Sequence, residues 1–219
     1  MDVKALLFDF DGLIVDTETP EFTVWRETYE AHGHSLPIHT WAACIGTIGG
    51  FDPVADLQRL TDGHIHDEIL ERMVARSGAL LDAEGLRPGI AALLAEADAA
   101  GIPRAIVSSS DQEWIGQNLG RLGAADGWAA IICAEGNVAR AKPRPTMYLE
   151  ALGVLGVAAQ DALAFEDSPN GIAAAQAAGI RCIAVPNSVT VSLDLGSADH
   201  VLPTLDGFSL GVLDHIAGL

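Results

Sequence analysis

An α/β fold, a doubly wound parallel sheet with an all-helical cap inserted after its first strand, is the architecture this sequence predicts, and three observations carry it. Short apolar runs of strand length recur at VKALLF, IPRAIVSS, AAIICAE, DALAFED and IRCIAVP. Most are separated by segments with helical spacing: Ile90 to Ala100, Glu113 to Leu122, Thr146 to Leu155 and Pro169 to Ala178. The stretch 16–84, by contrast, holds amphipathic segments but no strand-like run. Strands alternating with helices from about Leu86 onward imply parallel pairing through right-handed crossovers.

Taken in order, VKALLF is a buried-strand pattern that ends in acidic residues and Gly12, as a strand running into a functional loop does. The helical insertion follows, with EFTVWRETYEAHG and DEILERMVARSGALL as its clearest amphipathic stretches. Its edges, DTETP on entry and AEGLRPG on exit, interrupt helical pattern with Pro and Gly and serve as hinges. The core therefore comprises residues 1–15 and 85–219 in a Rossmann-like arrangement, and residues 16–84 form the cap.

A chain of 219 residues, 49% of them hydrophobic, buries a core without covalent staples. Cys44, Cys133 and Cys182 are widely spaced and form no CxxC pair, so buried thiols are expected rather than disulfides or a zinc site. The sequence starts into its first strand with no basic leader or membrane-length run, which predicts a soluble cytoplasmic protein, with a monomer as the default. A formal charge of −18 repels nucleic-acid phosphates and anionic lipid, so neither is an expected partner. Lysine is scarce: Lys4 and Lys142 are the two, and the other ten cations are arginines.

Polar groups stand at the ends of four of the predicted elements. Asp9 and Asp11 flank Phe10, and strand alternation would direct both carboxylates to one side. Ser108, Ser109 and Ser110 close the second strand before a helix, where hydroxyls and free N–H groups make an anion site; Ser110 or Asp111 is expected to cap that helix. Lys142 lies in RAKPRP ahead of another helix, with Arg140 and Arg144 as alternative cations. Glu166 and Asp167 end a fourth apolar run, followed by Ser168 as N-cap and Pro169 at the first helical position. Ligands bind beyond the carboxyl ends of strands in such sheets, and hard carboxylate oxygens suit Mg²⁺ better than zinc. Carboxylates facing a phosphate dianion also require a cation, so metal dependence is a physical demand of this arrangement.

The stretches LLFDFDGLIVDTE, IVSSSD, AKPRP and LAFEDSPNGIAAAQAAG resemble, in order, the four signature motifs of the haloacid dehalogenase superfamily, and in particular its β-phosphoglucomutase-like and sugar-phosphate phosphatase subgroup. The resemblance implies a phosphatase acting on a small-molecule phosphate ester. Asp9 would be the nucleophile and Asp11 the general acid and base. Mg²⁺ would be held by Asp9, the Asp11 carbonyl oxygen and Asp167, with Glu166 acting through metal-bound water or as a further ligand. Gly12, Ser108, Ser109 and Lys142 would bind the phosphoryl group.

Within that resemblance, Asp11 argues against dehalogenation, because a halide leaves without a proton. The absence of lysine from 16–84 argues against a Schiff-base phosphonate hydrolase. The mutase alternative is weakened because Ile45 and Gly49 stand in CIGTIGGFD at the approximate positions of the cations that hold a second phosphate, although Arg59, Arg72 or Arg76 could replace them. A catalytically idle phosphate-binding protein is a further alternative that no residue favours. The loop carrying Gly46, Gly49 and Gly50 with Ile45, Ile48 and Phe51 reads as flexible and apolar, suited to excluding water. Glu18, Thr19 and Glu21 near the hinge either accept substrate hydroxyls or cap the first cap helix, the latter being the expectation for Thr19.

Overall fold

Ala5–Phe8 form strand β1, every residue of which is buried, as a strand covered on both faces requires. The computed structural model describes residues 3–61, 63 and 65–215. On either side of β1 lie β2 (Arg104–Ser108) and β4 (Ala162–Glu166), with Leu7 level with Ala105 and Ala164. Adding β3 (Trp128–Cys133), β5 (Arg181–Ala184) and β6 (His200–Val201) gives a parallel sheet in the order β3-β2-β1-β4-β5-β6. In that order the direction of winding reverses between β1 and β4, and a crevice opens at their carboxyl ends.

Alternation along the strands sends side chains to two separate cores. Leu6, Phe8 and Phe165 pack with α5 (Ile90–Ala100) and α6 (Gln112–Leu122). Ala5, Leu7 and Ala164 pack with α7 (Thr146–Leu155) and α8 (Pro169–Ala177). Ser168 caps α8 by accepting from the Gly171 N–H, with Pro169 opening the first turn, and Asp111 rather than Ser110 caps α6 by accepting from Trp114.

Between β1 and α5 the chain adds α1 (Glu18–Ala31), α2 (Ile38–Trp41), α3 (Pro53–Thr61) and α4 (Asp67–Asp82). They bury a third apolar cluster that includes Tyr29, Leu36, Trp41, Ile45 and Leu57. The two connections to the sheet lie side by side: Val15 bridges Leu86, and the Arg87 N–H donates to the Ile14 carbonyl at 2.9 Å.

The structure departs from the sequence reading in four places. The strands are shorter than their apolar runs. The two-residue β6 and the short α2 and α3 carry too few residues for a periodic signal. Thr19 does not cap α1: the N-cap position is Thr17, and Thr19, inside the first turn, donates its N–H and hydroxyl to Asp16 at 3.0 and 2.8 Å. Finally, β1 ends at Phe8, so Asp11 lies off the strand. The Phe10 carbonyl accepts from the N–H groups of Leu13, Ile14 and Val15, and this tight turn, not strand alternation, aims Asp11.

Phe165 stacks on Phe8 at a centroid distance of 5.1 Å and meets Phe208 edge-on at 5.8 Å in the core beneath the crevice. Phe165→Ala is expected to destabilise the fold by about 3–5 kcal/mol, because the cavity cannot collapse against a parallel sheet. Denaturant unfolding would read this as a lower midpoint at unchanged slope; a loss below about 1 kcal/mol would show that this stack does not anchor the sheet.

Candidate active site

The carboxyl ends of β1 and β4 bring Asp9, Glu166 and Asp167 together, with one oxygen from each within 4.8 Å of the others, all three buried. Lys142 reaches into this group from the loop before α7. Its ammonium, 1% exposed, lies 2.5 Å from Asp9 Oδ1 and 2.7 Å from Glu166 Oε1. The same Glu166 oxygen accepts from the Tyr148 hydroxyl. Arg140 pairs instead with Glu150 and the Cys133 carbonyl, and Arg144 is exposed, so lysine alone of the three enters the site.

The remaining carboxylate oxygens are not all satisfied. Asp167 Oδ2 accepts from Asn187 at 2.8 Å, but Asp167 Oδ1 and Glu166 Oε2 are buried with no hydrogen-bond partner. Orphaned anionic oxygens in a dry site are costly unless a cation meets them. Burial, opposed by Lys142 and reinforced by Glu166 and Asp11, pushes the Asp9 carboxyl up to about 7. Burial and the charge of Asp9 hold Asp167 well above the usual carboxylate range. Lys142 stays protonated: burial disfavours its charge, but Asp9 and Glu166 more than restore it. A pocket of hard oxygens with two unmatched acceptors fits a divalent cation such as Mg²⁺, and Asp9, Glu166 and Asp167 could hold one.

Asp11 stands beside this pocket without joining it. Ser110 donates to its Oδ2 at 2.6 Å, Ser108 lies at 3.4 Å from the same oxygen, and Trp114 Nε1 donates to Oδ1 at 2.9 Å. Ser108 Oγ accepts from the Ser110 N–H at 3.0 Å, which fixes the end of β2. Gly12 has φ +76°, and a Cβ there would fall 2.2 Å from Asp167 Oδ2. Its N–H donates to Val15 and its carbonyl accepts from Arg87 and Asn187, which leaves Gly12 no free N–H to offer a phosphate.

A cavity of about 640 Å³ opens above Asp9, Asp11, Ser108 and Ser109, walled by Glu18, Glu21, Trp25, Trp41 and Phe51 from the helical insertion. No lysine, arginine or histidine borders it among the described residues. The cations considered for a second phosphate are elsewhere: Arg59 pairs with Asp56, Arg76 lies 3.5 Å from Glu27, and Arg72 lines a separate groove. Burial pushes Glu18 and Glu21 upward, with Asp11 adding to both.

The glycine-rich loop is tethered where it meets the core. Ser109 donates to the Gly46 carbonyl at 3.1 Å, Asn170 to the Ile45 carbonyl at 2.8 Å, and Thr47 to the Lys142 carbonyl at 2.5 Å. Burial pushes the Cys44 and Cys133 thiols up to about 12, which keeps both unreactive.

Tyr148, Asn187, Trp114 and Arg87 reach the site unannounced by the sequence. Asn187 had the best signal, since it follows the apolar run of β5 at the sheet's carboxyl edge. Tyr148 and Trp114 look like ordinary helix residues, and which way they face is set by packing.

Acids and a buried lysine thus meet at the switch point of a parallel sheet, beneath an open cleft, where a hydrolase of this architecture would bind its substrate. A family model described as haloacid dehalogenase-like hydrolase matches residues 3–179. The chain is 40% identical over 216 residues to the Bacillus subtilis protein YhcW, provisionally named a phosphatase, covering 98% of both chains. It is 30% identical to hexitol phosphatase A of Escherichia coli, covering 94% of this chain and 93% of that one. CbbY from Rhodobacter sphaeroides in complex with phosphate superposes with a TM-score of 0.75 at 32% identity, over 97% of this chain and 99% of that one. A mutant of that protein holding xylulose-1,5-bisphosphate gives 0.74, also at 32% identity, over 95% and 98%. The chain belongs to the haloacid dehalogenase-like hydrolases.

A metal ion and a proton would compete for the same carboxylates. The folded-state pKa of Asp9, near 7, lies above its unfolded value, so the ion-free protein loses stability as pH rises through that range. A cation held among these carboxylates would remove the loss. Mg²⁺ at a hundred times its dissociation constant is expected to add about 2.7 kcal/mol, roughly 5–10 °C in Tm at pH 8, and distinctly less at pH 5.5. Thermal scans with EDTA or Mg²⁺ at both pH values check this; an equal or larger gain at pH 5.5 would contradict it.

Proposed function

We propose that this chain hydrolyses the monophosphate ester of a small polyhydroxylated metabolite, of the sugar- or polyol-phosphate kind, through a phospho-aspartate on Asp9. The observation that carries the reading is the buried Asp9 carboxylate clamped by Lys142 at the floor of a cavity into which Asp11 also faces. In this reading residues 16–84 act as a cap over the core formed by 1–15 and 85–219, and the enzyme works as a cytoplasmic monomer.

The Asp9 carboxylate attacks phosphorus while Asp11 protonates the departing alkoxide. Asp11 then takes a proton from the water that attacks the phospho-aspartate, which frees Asp9 and inorganic phosphate. Ser110 and Trp114 orient Asp11 for both steps. Ser108, the Ser109 backbone and Lys142 hold the phosphoryl oxygens, because a loose transition state needs positioning and charge stabilisation above all. Mg²⁺, bound by Asp9, Asp167 and the Asp11 carbonyl oxygen, would offset the carboxylate charge and polarise the phosphoryl group. The latched loop 45–47 keeps bulk water from the reacting atoms.

The leaving group is read by the cavity's upper wall. Glu18 and Glu21 accept hydrogen bonds from substrate hydroxyls, and Trp25, Trp41 and Phe51 offer faces to a carbon skeleton. A second phosphate would meet carboxylates and no cation, so the mutase reading has no residue to support it. For the same reason the bisphosphate held by the CbbY mutant is a poor fit here.

Two outcomes test the proposal. Asp9→Asn should lower Mg²⁺-dependent phosphate release by roughly 10⁴-fold or more; near-native turnover would end the phospho-aspartate mechanism. In a release screen across hexose, pentose and hexitol monophosphates, the best of these should exceed xylulose-1,5-bisphosphate in kcat/KM by roughly 100-fold, since like-charge juxtaposition costs several kcal/mol. A preference for the bisphosphate would reverse the assignment of the cavity.

A further inference from the structure

The turn after β5, Val185–Pro186–Asn187–Ser188–Val189–Thr190, lies outside the four motifs, yet its asparagine is 6% exposed and every bonding position of its amide is filled. Asn187 Nδ2 donates to Asp167 Oδ2 at 2.8 Å and to the Gly12 carbonyl at 3.2 Å. Its Oδ1 accepts from the N–H groups of Val189 and Thr190, both at 2.9 Å, and its own N–H donates to Thr190 Oγ1 at 2.9 Å. An amide has two donors and two acceptor lone pairs, so the count is complete. Turning the amide over would set its oxygen against a carboxylate and a carbonyl, which fixes one orientation.

We infer that Asn187 is a positioning residue for the cation site. It ties the loops after β1, β4 and β5 together and occupies one oxygen of Asp167, so that the other, the orphaned Oδ1, is the one presented to a metal. Aspartate would bring a like charge, leucine no donor, and serine too short a reach. Without the amide, both oxygens of a fully buried Asp167 would be unpaired and the carboxylate free to rotate. Outer-shell partners of this sort typically change metal affinity by 10–100-fold.

The inference rests on the proposed metal-dependent site, and the test separates the two. Mn²⁺ binding is followed by electron paramagnetic resonance, with Mg²⁺ as competitor, for wild type, Asn187→Leu, Asn187→Ser and Thr190→Val. Thr190→Val disturbs the same turn without touching Asp167, so it reports the purely structural role. The two Asn187 variants should weaken Mn²⁺ binding roughly 10-fold or more, and raise half-saturating Mg²⁺ for turnover while leaving substrate KM at saturating metal near wild type. Thr190→Val should lower Tm comparably and leave the dissociation constant within about twofold. If Asn187→Leu fails to fold, Asn187→Ser carries the measurement. Wild-type affinity in the Asn187 variants, or an equal loss in Thr190→Val, overturns the positioning role while leaving the metal site standing. Absence of Mn²⁺ binding by the wild-type protein overturns both.

Discussion

The site depends on one buried contact, the Lys142 ammonium lodged between Asp9 and Glu166. Carboxylates crowded at the end of a parallel sheet repel one another and lose their hydration, so they stay together only if positive charge is built in among them. Lys142 supplies that charge from a third loop, and Tyr148 adds a neutral donor to the same Glu166 oxygen while its ring lies 5.7 Å from the ammonium. Removing either partner of such a pair typically costs 3–5 kcal/mol, since it leaves a charge uncompensated. Lys142 thus serves the fold as an internal counter-ion and, in the proposed mechanism, would serve the reaction as a fixed cation.

Around that contact the backbone is packed to a tolerance set by missing side chains. At Gly12 the chain must turn with positive φ and pass against Asp167. At Gly171 a Cβ would fall 1.8 Å from Glu166 Oε2, so the first turn of α8 can close over the glutamate only where there is none. Gly171 follows the acid it accommodates within one motif, which links that motif's spacing to the geometry of the pocket, whereas Gly12 makes room for an acid from a distant part of the chain.

The helical insertion contributes a different kind of control. Its loop is held to the core by hydrogen bonds from Ser109, Asn170 and Thr47, two of them made with groups adjoining the proposed phosphate ligands. Its inner wall is aromatic and acidic. In the proposed reading, phosphate charge would be dealt with below, by the core, and the rest of the substrate above, where carboxylates disfavour further anions. That division of labour is electrostatic, and it follows from where the few cations of a strongly acidic chain are placed.

Much of this was legible in the sequence. Apolar runs and helical spacing fixed the parallel core and the insertion, because strand burial on two faces and helix amphipathicity leave local periodic signatures. Acids and serines at strand ends, and a rare lysine ahead of a helix, marked the candidate site, because polar residues that close an apolar run or open a helix are visible locally. What tertiary structure decided was orientation. Asp11 is aimed by a turn on the Phe10 carbonyl, Lys142 rather than Arg140 or Arg144 enters the site, and the glycine-rich loop is latched. Tyr148, Trp114 and Asn187 come to the carboxylates from residues 103 (Trp114), 18 (Tyr148) and 20 (Asn187) positions away from their partners. Contacts between distant positions have no local period, so they exist as information only once the chain has folded.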